Sequence, residues 1–399
     1  MRIGMMADIY KTHVSGVTNS LTLTKQWLEK EGHNVFIFTF GDDGANEDDK
    51  NVILTSGLQV VDTGFYFNLR YNRSARQLLY SMDIAHVHHP FVSGSLAMRY
   101  CVPRNIPVVF TNHSRYDLIT QAYIPMLPET ISEAAFKAYL SPFFRACDLV
   151  IVPSQSMQKV FEDQYGPISP ITVIPNGVDL TPYRVNNQPV DRSVFGFSDS
   201  DVISIYVGRL SPEKNLSLLI RAFYGAAMTY DNLRLVIVGE GPDRENLEAQ
   251  IKHMNIASKV LFTGLIDYPE IPAYLAACDI FVTPSTTETF GLSTVEAMAA
   301  GLPVLGVDVI GTRDIVEDGV TGLITSDDVA VFTAKLILLC TDKELRKRMG
   351  KQALLASKKY DIQVTTGVLL QHYQRLVEAA KYRKKGPATR MTRFLDRFR

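Results

Sequence analysis

Residues 202–215, VISIYVGRLSPEKN, contain the strand-to-helix transition that decides the fold. The apolar run Val202–Val207 predicts a buried strand, which a glycine and an arginine follow directly. Ser211 is a residue type that helix N-caps prefer, and Pro212 suits a first helical turn. The pattern therefore predicts a helix that begins here with Lys214 in its first turn, the repeating unit of a parallel α/β sheet.

The same alternation of apolar runs and helical patterns extends along the chain in both directions. Helical patterns such as Asn19–Lys30 and Gly94–Cys101 separate the apolar runs. Continuous apolar strands between helices indicate parallel sheets buried on both faces, hence a doubly wound α/β fold. The other strands that we predict are Arg2–Ala7, Asn34–Phe40, Ile84–His88, Val108–Thr111, Leu149–Val152, Leu233–Val238, Lys259–Phe262, Ile280–Thr283 and Val304–Val307.

The length of 399 residues fits two domains. The stretch 170–200 is rich in proline and polar residues, and few regular elements fit there. We interpret it as the connection between two Rossmann-like domains, residues 1–175 and 176–359. Ligands of such folds bind at the carboxyl ends of the strands, so a cleft between the two domains is the expected site.

The composition is that of an ordinary globular protein. Hydrophobic residues make up 46% and charged residues 21% of the chain, which excludes disorder and coiled coil for its bulk. The four cysteines form no C-x-x-C pair, which excludes a zinc ribbon and indicates a reducing compartment. The first residues, MRIGMMADIY, predict a strand rather than a signal peptide, and no apolar stretch reaches the ~18 residues of a membrane span.

Charge is unevenly distributed although the formal net charge is only −1. Residues 381–399 contain eight Lys or Arg and one Asp, whereas residues 1–380 contain 33 Lys or Arg and 41 Asp or Glu. An acidic body with a basic tail is not typical of a nucleic-acid-binding protein, which carries a positive patch on its fold. We therefore predict no nucleic-acid partner.

Two loops that follow strands carry the residues best suited to bind a phosphorylated ligand. Arg209 and Lys214 place two cations beside a predicted helix start, whose free N–H groups favour an anion such as a pyrophosphate. Glu288 and Glu296 flank the start of a second predicted helix, Leu292–Ala300. Carboxylates beside a phosphate site can accept hydrogen bonds from sugar hydroxyls, although an E-x7-E spacing alone is common.

Taken together and in order, these motifs resemble those of the retaining nucleotide-sugar glycosyltransferases of family four. The similar segments are GRLSPEKN, VGEGPDRENL, the E-x7-E helix start and AMAAGLPV in the second half, and SGV, HVHHPF, VVFTNHSRYD and IPNGVD in the first. The resemblance covers nearly the whole chain and implies a GT-B fold with two Rossmann-like domains facing a central cleft. It also implies that the nucleotide binds the second domain and that final helices, about 360–380, cross back to the first.

The resemblance assigns the donor-binding roles residue by residue. It implies that Arg209 and Lys214 bind the donor pyrophosphate. It implies that Glu296 holds the ribose hydroxyls and that Glu288 contacts the transferred sugar. The amides that would complete the cradle are those of Phe290, Gly291 and Leu292.

The resemblance also points to two residues of the first domain. Gly16 matches the second glycine of a motif in which many relatives have Gly-Gly, and this chain has Ser15 at the first position. A side chain at Gly16 would keep the loop away from the phosphates. His113 follows the strand Val108–Thr111 and matches a family histidine near the transferred sugar, although a histidine here can also serve only to cap the next segment.

Three further histidines, His86, His88 and His89, do not indicate a metal site. Strand alternation places His86 and His88 on one face and turns His89 away. No Asp or Glu completes a local ligand set, and the family resembled needs no metal in this fold. We therefore predict no metal and no cofactor apart from the nucleotide-sugar substrate.

The expected reaction is hexosyl transfer with retention of anomeric configuration, of EC 2.4.1 type. UDP-glucose is the favoured donor and GDP-mannose the alternative. A dehydrogenase is excluded because neither MADIYKTHVSG nor YVGRLSPEKN contains G-x-G-x-x-G. A sugar-nucleotide epimerase, a phosphorylase and a non-catalytic binding scaffold remain open on the sequence alone.

Two features outside the donor motifs indicate a lipid acceptor such as diacylglycerol. The segment Arg115–Ser141 is rich in aromatic and apolar residues, which suits an apolar acceptor channel or ordinary loop packing. In the tail 381–399, four apolar residues recur at i, i+3, i+4 and i+7 among arginines, which predicts a basic amphipathic helix on an anionic membrane surface. The alternatives are a disordered tail and a soluble or polysaccharide acceptor. We expect a cytoplasmic enzyme that is peripheral on the inner face of the cell membrane.

Overall fold

The computed structural model describes residues 1–10, 16–41, 49–59, 66–68, 70–115, 129–167, 170–184 and 189–383. About half of the predicted acceptor segment, residues 116–128, lies outside this part of the chain, as does most of the predicted amphipathic tail, residues 384–399. The chain divides into two compact units, Met1–Gly177 with Ile362–Arg399, and Val178–Asp361.

The first unit is built on a parallel sheet with the strand order β3-β2-β1-β6-β7-β8-β9 over its described residues. A short antiparallel pair, β4 and β5, accompanies it. The strands are Arg2–Met6 (β1), Asn34–Phe40 (β2), Val52–Thr55 (β3), Leu58–Gln59 (β4), Tyr66–Phe67 (β5), Ile84–Val87 (β6), Val108–Thr111 (β7), Leu149–Val152 (β8) and Ile171–Val173 (β9).

The helices of the first unit include the last described helix of the chain. Its residues Leu369 and Tyr373 belong to the same core cluster as Leu21 and Leu28 of the first helix. The helices are Gly16–Lys30 (α1), Arg73–Leu79 (α2), Val92–Tyr100 (α3), Glu129–Ala146 (α4), Gln155–Tyr165 (α5) and Ile362–Lys381, which is α14 in chain order.

The second unit repeats this plan with the parallel strand order β12-β11-β10-β13-β14-β15. Its strands are Val202–Val207 (β10), Leu233–Val238 (β11), Val260–Gly264 (β12), Ile280–Thr283 (β13), Val304–Val307 (β14) and Gly322–Thr325 (β15). Its helices are Thr181–Arg184 (α6), Leu216–Ala227 (α7), Arg244–His253 (α8), Ile271–Ala276 (α9), Leu292–Ala299 (α10), Ile310–Arg313 (α11), Val329–Thr341 (α12) and Lys343–Ser357 (α13).

Helices cover both faces of each sheet, which explains the continuous apolar strands. In β10, Val202 and Tyr206 pack into one hydrophobic cluster, whereas Ile203 and Ile205 pack into another. Successive side chains of a strand point to opposite faces, so a strand buried on both sides needs apolar residues at almost every position. The prediction of two doubly wound α/β domains is thus confirmed.

The strand order reverses once in each sheet, and this places the candidate sites. In the first unit the reversal lies between β1 and β6, and in the second between β10 and β13. At such a point the connections leave in opposite directions and open a crevice at the carboxyl ends of the strands. The loops that follow these strands are therefore the expected positions of ligand-binding residues.

Two local predictions are wrong. The stretch 170–200 is not merely a connection, because Ile171–Val173 pairs with β8 and completes the first sheet. The helix after β10 begins at Leu216, because Asn215 adopts a left-handed conformation with φ 54° and Pro212–Lys214 forms a separate 3-10 turn. Lys214 therefore lies before the α-helix and not in its first turn.

Candidate active site

The loop after β10 is fixed by close backbone packing against the loop after β11. Gly239 has φ +133°, and a Cβ there would lie 2.0 Å from the Gly208 carbonyl oxygen. A Cβ at Gly241 would lie 2.1 Å from the Leu210 carbonyl oxygen. Only glycine permits this approach, so the glycines of the VGEGPDRENL segment support the loop that carries Arg209.

The two candidate cations of this loop have different surroundings. Arg209 is exposed and forms no ion pair with any described residue. Lys214 forms an ion pair with Glu288, and their side chains are only 24% and 18% exposed. Partial burial weakens solvent screening, so this pair is held more firmly than a surface pair. The structure thus joins two residues that are 74 positions apart in sequence.

The backbone of Glu288 is held by a residue that the motif did not include. The N–H of Gly311, in α11, donates to the Glu288 carbonyl oxygen at 2.9 Å. A Cβ at Gly311 would lie 2.6–2.7 Å from main-chain and Cβ atoms of Glu288, well inside contact distance. Gly311 is therefore the residue that lets the Glu288 loop approach α11.

Glu296 lies in α10 and is buried, with 6% of its surface exposed. Burial raises the pKa of this carboxyl to about 6, and a hydrogen bond from the Tyr268 hydroxyl, at 2.8 Å, opposes the rise. Burial raises the pKa of the Tyr183 phenol, and the nearby Glu296 charge adds to this rise. Both tyrosines were missed, because neither stands in the E-x7-E motif.

The start of α10 presents part of the predicted amide cradle. Phe290 is buried, and its ring packs edge-on against Tyr360 with centroids 5.7 Å apart. The Leu292 N–H donates to the Phe290 carbonyl oxygen at 3.1 Å, so this amide is already engaged. The N–H groups of Phe290 and Gly291 have no hydrogen-bond partner among the described residues. Two of the three predicted amides are thus available to an anion.

In the first unit, the half-buried His113 adjoins two buried imidazoles, His86 and His88, at the carboxyl ends of β6 and β7. His113 Nε2 and His88 Nδ1 lie 3.0 Å apart, and the rings are nearly parallel. His86 and His88 share one face, with centroids 4.1 Å apart, as strand alternation predicted. Burial lowers the pKa of His86 and of His113 to about 3, so both are neutral at physiological pH.

The imidazole group is tied to the last described helix. The Tyr373 hydroxyl of α14 hydrogen bonds His86 Nδ1, and His86 Nε2 lies 2.7 Å from the Thr111 hydroxyl. A cavity of about 30 Å³ adjoins His86, His88 and His113. The chain therefore positions His113 through a packed set of neutral polar groups rather than through a charged partner.

The remaining first-unit predictions are placed as follows. Gly16 is the first residue of α1 and is exposed, whereas the residue before it lies outside the described chain. His89 turns away from the other imidazoles, and its Nδ1 accepts from the Asp8 N–H at 3.2 Å. No three His, Cys, Asp or Glu side chains among the described residues are arranged to hold a metal ion.

Models of two glycosyltransferase families match consecutive parts of the chain. The model of "Glycosyltransferase Family 4" matches residues 14–182 and that of "Glycosyl transferases group 1" matches residues 187–355. The alpha-monoglucosyldiacylglycerol synthase of Streptococcus pneumoniae is 32% identical over 315 residues, 76% of this chain and 70% of that protein. The chain is a family 4 glycosyltransferase with the GT-B fold.

Other relatives extend the similarity of this glycosyltransferase over more of its length. The alpha-monoglucosyldiacylglycerol synthase of Acholeplasma laidlawii is 28% identical over 380 residues, covering 90% of this chain and 93% of that one. Sucrose-phosphate synthase from Thermosynechococcus elongatus superposes with a TM-score of 0.77 at 21% identity, covering 95% of this chain and 99% of that one. An Anabaena protein crystallised with UDP-glucose superposes with a TM-score of 0.75 at 21% identity, covering 94% of this chain and 100% of that one. At these identities the solved structures bear on fold alone.

The titration of Glu296 predicts a pH dependence of nucleotide binding. If Glu296 accepts ribose hydroxyls, its ionised form binds better, so UDP affinity should fall below pH 6 by up to about tenfold per pH unit. Tyr268→Phe removes a hydrogen bond that favours ionisation, so the fall should begin at a higher pH. Calorimetric titration of UDP between pH 4.5 and 8 measures both effects.

The control for this prediction is Glu296→Gln. In this variant the phosphate of UDP still titrates, but the carboxyl group of residue 296 is gone. The difference between the wild-type and Glu296→Gln profiles therefore isolates Glu296. Identical profiles for the two proteins would exclude a role for the Glu296 carboxylate in nucleotide binding.

Proposed function

We propose that this glycosyltransferase moves glucose from UDP-glucose to the free hydroxyl of a lipid, diacylglycerol, with retention of anomeric configuration. The observation that carries the proposal is the partly buried Lys214–Glu288 ion pair, whose lysine follows β10, the strand at which the strand order reverses. The buried Glu296 lies in the same unit. The glucose donor and lipid acceptor are supported by two relatives that cover most of this chain, both of which are alpha-monoglucosyldiacylglycerol synthases.

The donor-site cations supply the main stabilisation of the transition state in this proposal. Negative charge grows on the departing diphosphate, and a cation already held in place stabilises it without reorganisation. Lys214 is held by Glu288, whereas Arg209 is exposed and without an ion pair in the described chain. We assign the pyrophosphate to both cations and the ribose hydroxyls to Glu296.

Glu288 is assigned to the transferred sugar rather than to nucleophilic attack. Its carboxylate is paired with the Lys214 ammonium group, which lowers its nucleophilicity. In the proposed reaction, the acceptor oxygen bonds to the anomeric carbon on the face that the diphosphate leaves. The hydroxyl proton passes to a phosphate oxygen of the leaving group. This route retains the anomeric configuration without a covalent glycosyl-enzyme.

The proposed site of action is the inner surface of the cell membrane, where the protein binds peripherally. No helix in the described part of the chain is long and apolar enough to cross a membrane. The basic tail 381–399, with its apolar stripe, would attach to anionic lipid. Each basic residue near such a surface contributes about 1 kcal/mol at low salt.

The test of the proposed function is product analysis with two donors. The full-length protein is incubated with UDP-glucose or GDP-mannose and diacylglycerol in mixed micelles, without added metal. We expect glucosyldiacylglycerol with an α-anomeric proton coupling, formed from UDP-glucose only. Donor hydrolysis without transfer, a β-linked product or conversion of the donor to an epimer would contradict the proposal.

Donor choice can also be measured without an acceptor. A ligand at 100 times its dissociation constant adds about 2.7 kcal/mol to the free energy of unfolding. Thermal unfolding with a panel of nucleotide sugars should therefore show its largest stabilisation with UDP-glucose. A larger rise in unfolding temperature with GDP-mannose would make GDP-mannose the donor and would leave the assignment as a glycosyltransferase unchanged.

A further inference from the structure

Helix α13 carries a concentration of positive charge that the donor site does not use. Between Lys343 and Lys359 the chain has seven Lys or Arg residues and one Glu, although residues 1–380 as a whole are acidic. Glu344 pairs with Lys347 at 3.2 Å. Arg348, Lys351 and Lys358 form no ion pair with any described residue.

These cations share one side of the helix with two exposed leucines. Lys347, Lys351, Leu354 and Lys358 follow each other at spacings of four, three and four residues, and Arg348 and Leu355 lie on the adjacent row. Leu354 is 41% and Leu355 48% exposed. The opposite side, with Met349, Gly350, Ala353 and Ser357, is buried in the unit. We call the outer side the α13 face, formed by Lys347, Arg348, Lys351, Leu354, Leu355 and Lys358.

The charge pattern of the α13 face is unfavourable for a helix in water alone. Like charges four residues apart, as at Lys343, Lys347 and Lys351, destabilise a helix by about 0.2–0.5 kcal/mol per pair. Lys343 also lies in the first turn, where the helix dipole disfavours a cation. An anionic surface that contacts several of these side chains would reverse both effects.

An open groove adjoins the same face. It has a volume of about 530 Å³, and its lining includes Leu180, Tyr183, Ala299 and Leu354, with Lys358 at its charged side. An apolar groove beside a cation suits an amphiphile whose anionic group is next to its hydrocarbon. A nucleic acid would use the cations but neither the groove nor the exposed leucines.

We propose that the α13 face docks on an anionic lipid surface. Arg348, Lys351 and Lys358 contact phosphate headgroups, and Leu354 and Leu355 enter the boundary between headgroups and acyl chains. A surface helix with apolar residues among cations has the pattern of one that lies in a membrane interface. This contact is separate from the tail 381–399 and from the donor residues. It extends the membrane attachment of the proposed function, but its test does not require catalysis.

The test is co-sedimentation of full-length protein with vesicles of phosphatidylcholine alone or with 30% phosphatidylglycerol. The variant Lys351→Gln/Lys358→Gln removes two cations of the α13 face. Each cation contributes about fivefold to partitioning onto an anionic surface, so loss of both should lower the partition coefficient about 25-fold. Arg221→Gln/Lys252→Gln is the matched control, since it removes two exposed cations from α7 and α8 and should change partitioning less than twofold.

A second pair of variants tests the leucines. Leu355→Gln should lower partitioning by roughly tenfold, because the favourable free energy of transferring the leucine side chain into the interface is lost. Leu338→Gln, which changes a leucine of α12 that is 45% exposed, should have little effect. Thermal unfolding with and without UDP verifies that each variant is folded and binds nucleotide.

The possible outcomes separate the docking inference from the proposed function. Wild-type partitioning by the Lys351→Gln/Lys358→Gln variant would overturn the inference, and so would an equal loss in the Arg221→Gln/Lys252→Gln control. Binding of a 20-base-pair DNA duplex that is lost with the lysines but not with Leu355 would indicate a nucleic-acid surface instead. If partitioning depends on the α13 face but no glucosyldiacylglycerol forms, docking stands and the proposed function fails.

Discussion

Lys214→Gln is expected to lower kcat/KM for glucosyl transfer by about 10²–10³-fold while leaving the fold intact. Lys214 is the partly buried cation of the donor loop, and Glu288 already holds its ammonium group in place. Removal of one pre-positioned group that stabilises transition-state charge typically costs this much in rate. The measurement is initial rates with UDP-glucose, together with UDP affinity, which should fall less than kcat/KM.

The matched control for this prediction is Lys252→Gln, an exposed lysine of α8 that lies in none of the site loops. Glu288→Gln tests the partnership, because it keeps Lys214 but removes the charge that orients it. Effects of residues in direct contact are not additive, so the double variant should be much less impaired than the product of the two single effects. Near-normal kinetics for Lys214→Gln would remove Lys214 from the donor site, whereas full additivity would contradict its coupling to Glu288.

The central strands of both sheets could be predicted because their sequences are apolar at nearly every position. Two edge strands, β9 and β15, were missed for physical reasons. Ile171–Val173 has only three residues, all half-buried, so it lacks a continuous apolar run. Gly322 opens β15, where a Cβ would lie 2.1 Å from the Val304 carbonyl oxygen. Glycine is depleted in strands, and here close packing rather than strand propensity selects it.

The site residues could be named from local motifs, but their partners could not. Glu288 is held by Gly311, and Glu296 is contacted by Tyr268, 28 residues away. Such contacts depend on the order of the strands in the sheet, which spacing along the chain does not encode. The predicted helix start after β10 was wrong because a Ser-Pro pair can also begin a 3-10 turn. Asn215 tolerates the left-handed conformation that separates this turn from α7.

His113→Ala is expected to lower transfer about 10²-fold and to leave UDP affinity within twofold of wild type. His113 belongs to the first unit, whereas the side chains assigned to the nucleotide, those of Arg209, Lys214 and Glu296, belong to Val178–Asp361. A neutral imidazole that hydrogen bonds the transferred sugar contributes about 1.5–3 kcal/mol if the site is otherwise left with an unpaired hydroxyl. Initial rates and UDP titration measure the two quantities, and His253→Ala, an exposed histidine of α8, is the control.

The depressed pKa of His113 distinguishes this role from acid–base catalysis. With a pKa of about 3, the imidazole stays neutral from pH 5 to 9, so its contribution to the rate should not change over that range. His88→Ala removes the ring that lies 3.0 Å from His113 Nε2 and should reproduce part of the loss through misorientation. A wild-type rate profile with a transition near pH 6.5 that disappears in His113→Ala would instead require a charged imidazole. Such a group could not be reconciled with its position beside His86 and His88, because a charge there would face neutral rings and, within the described residues, no carboxylate.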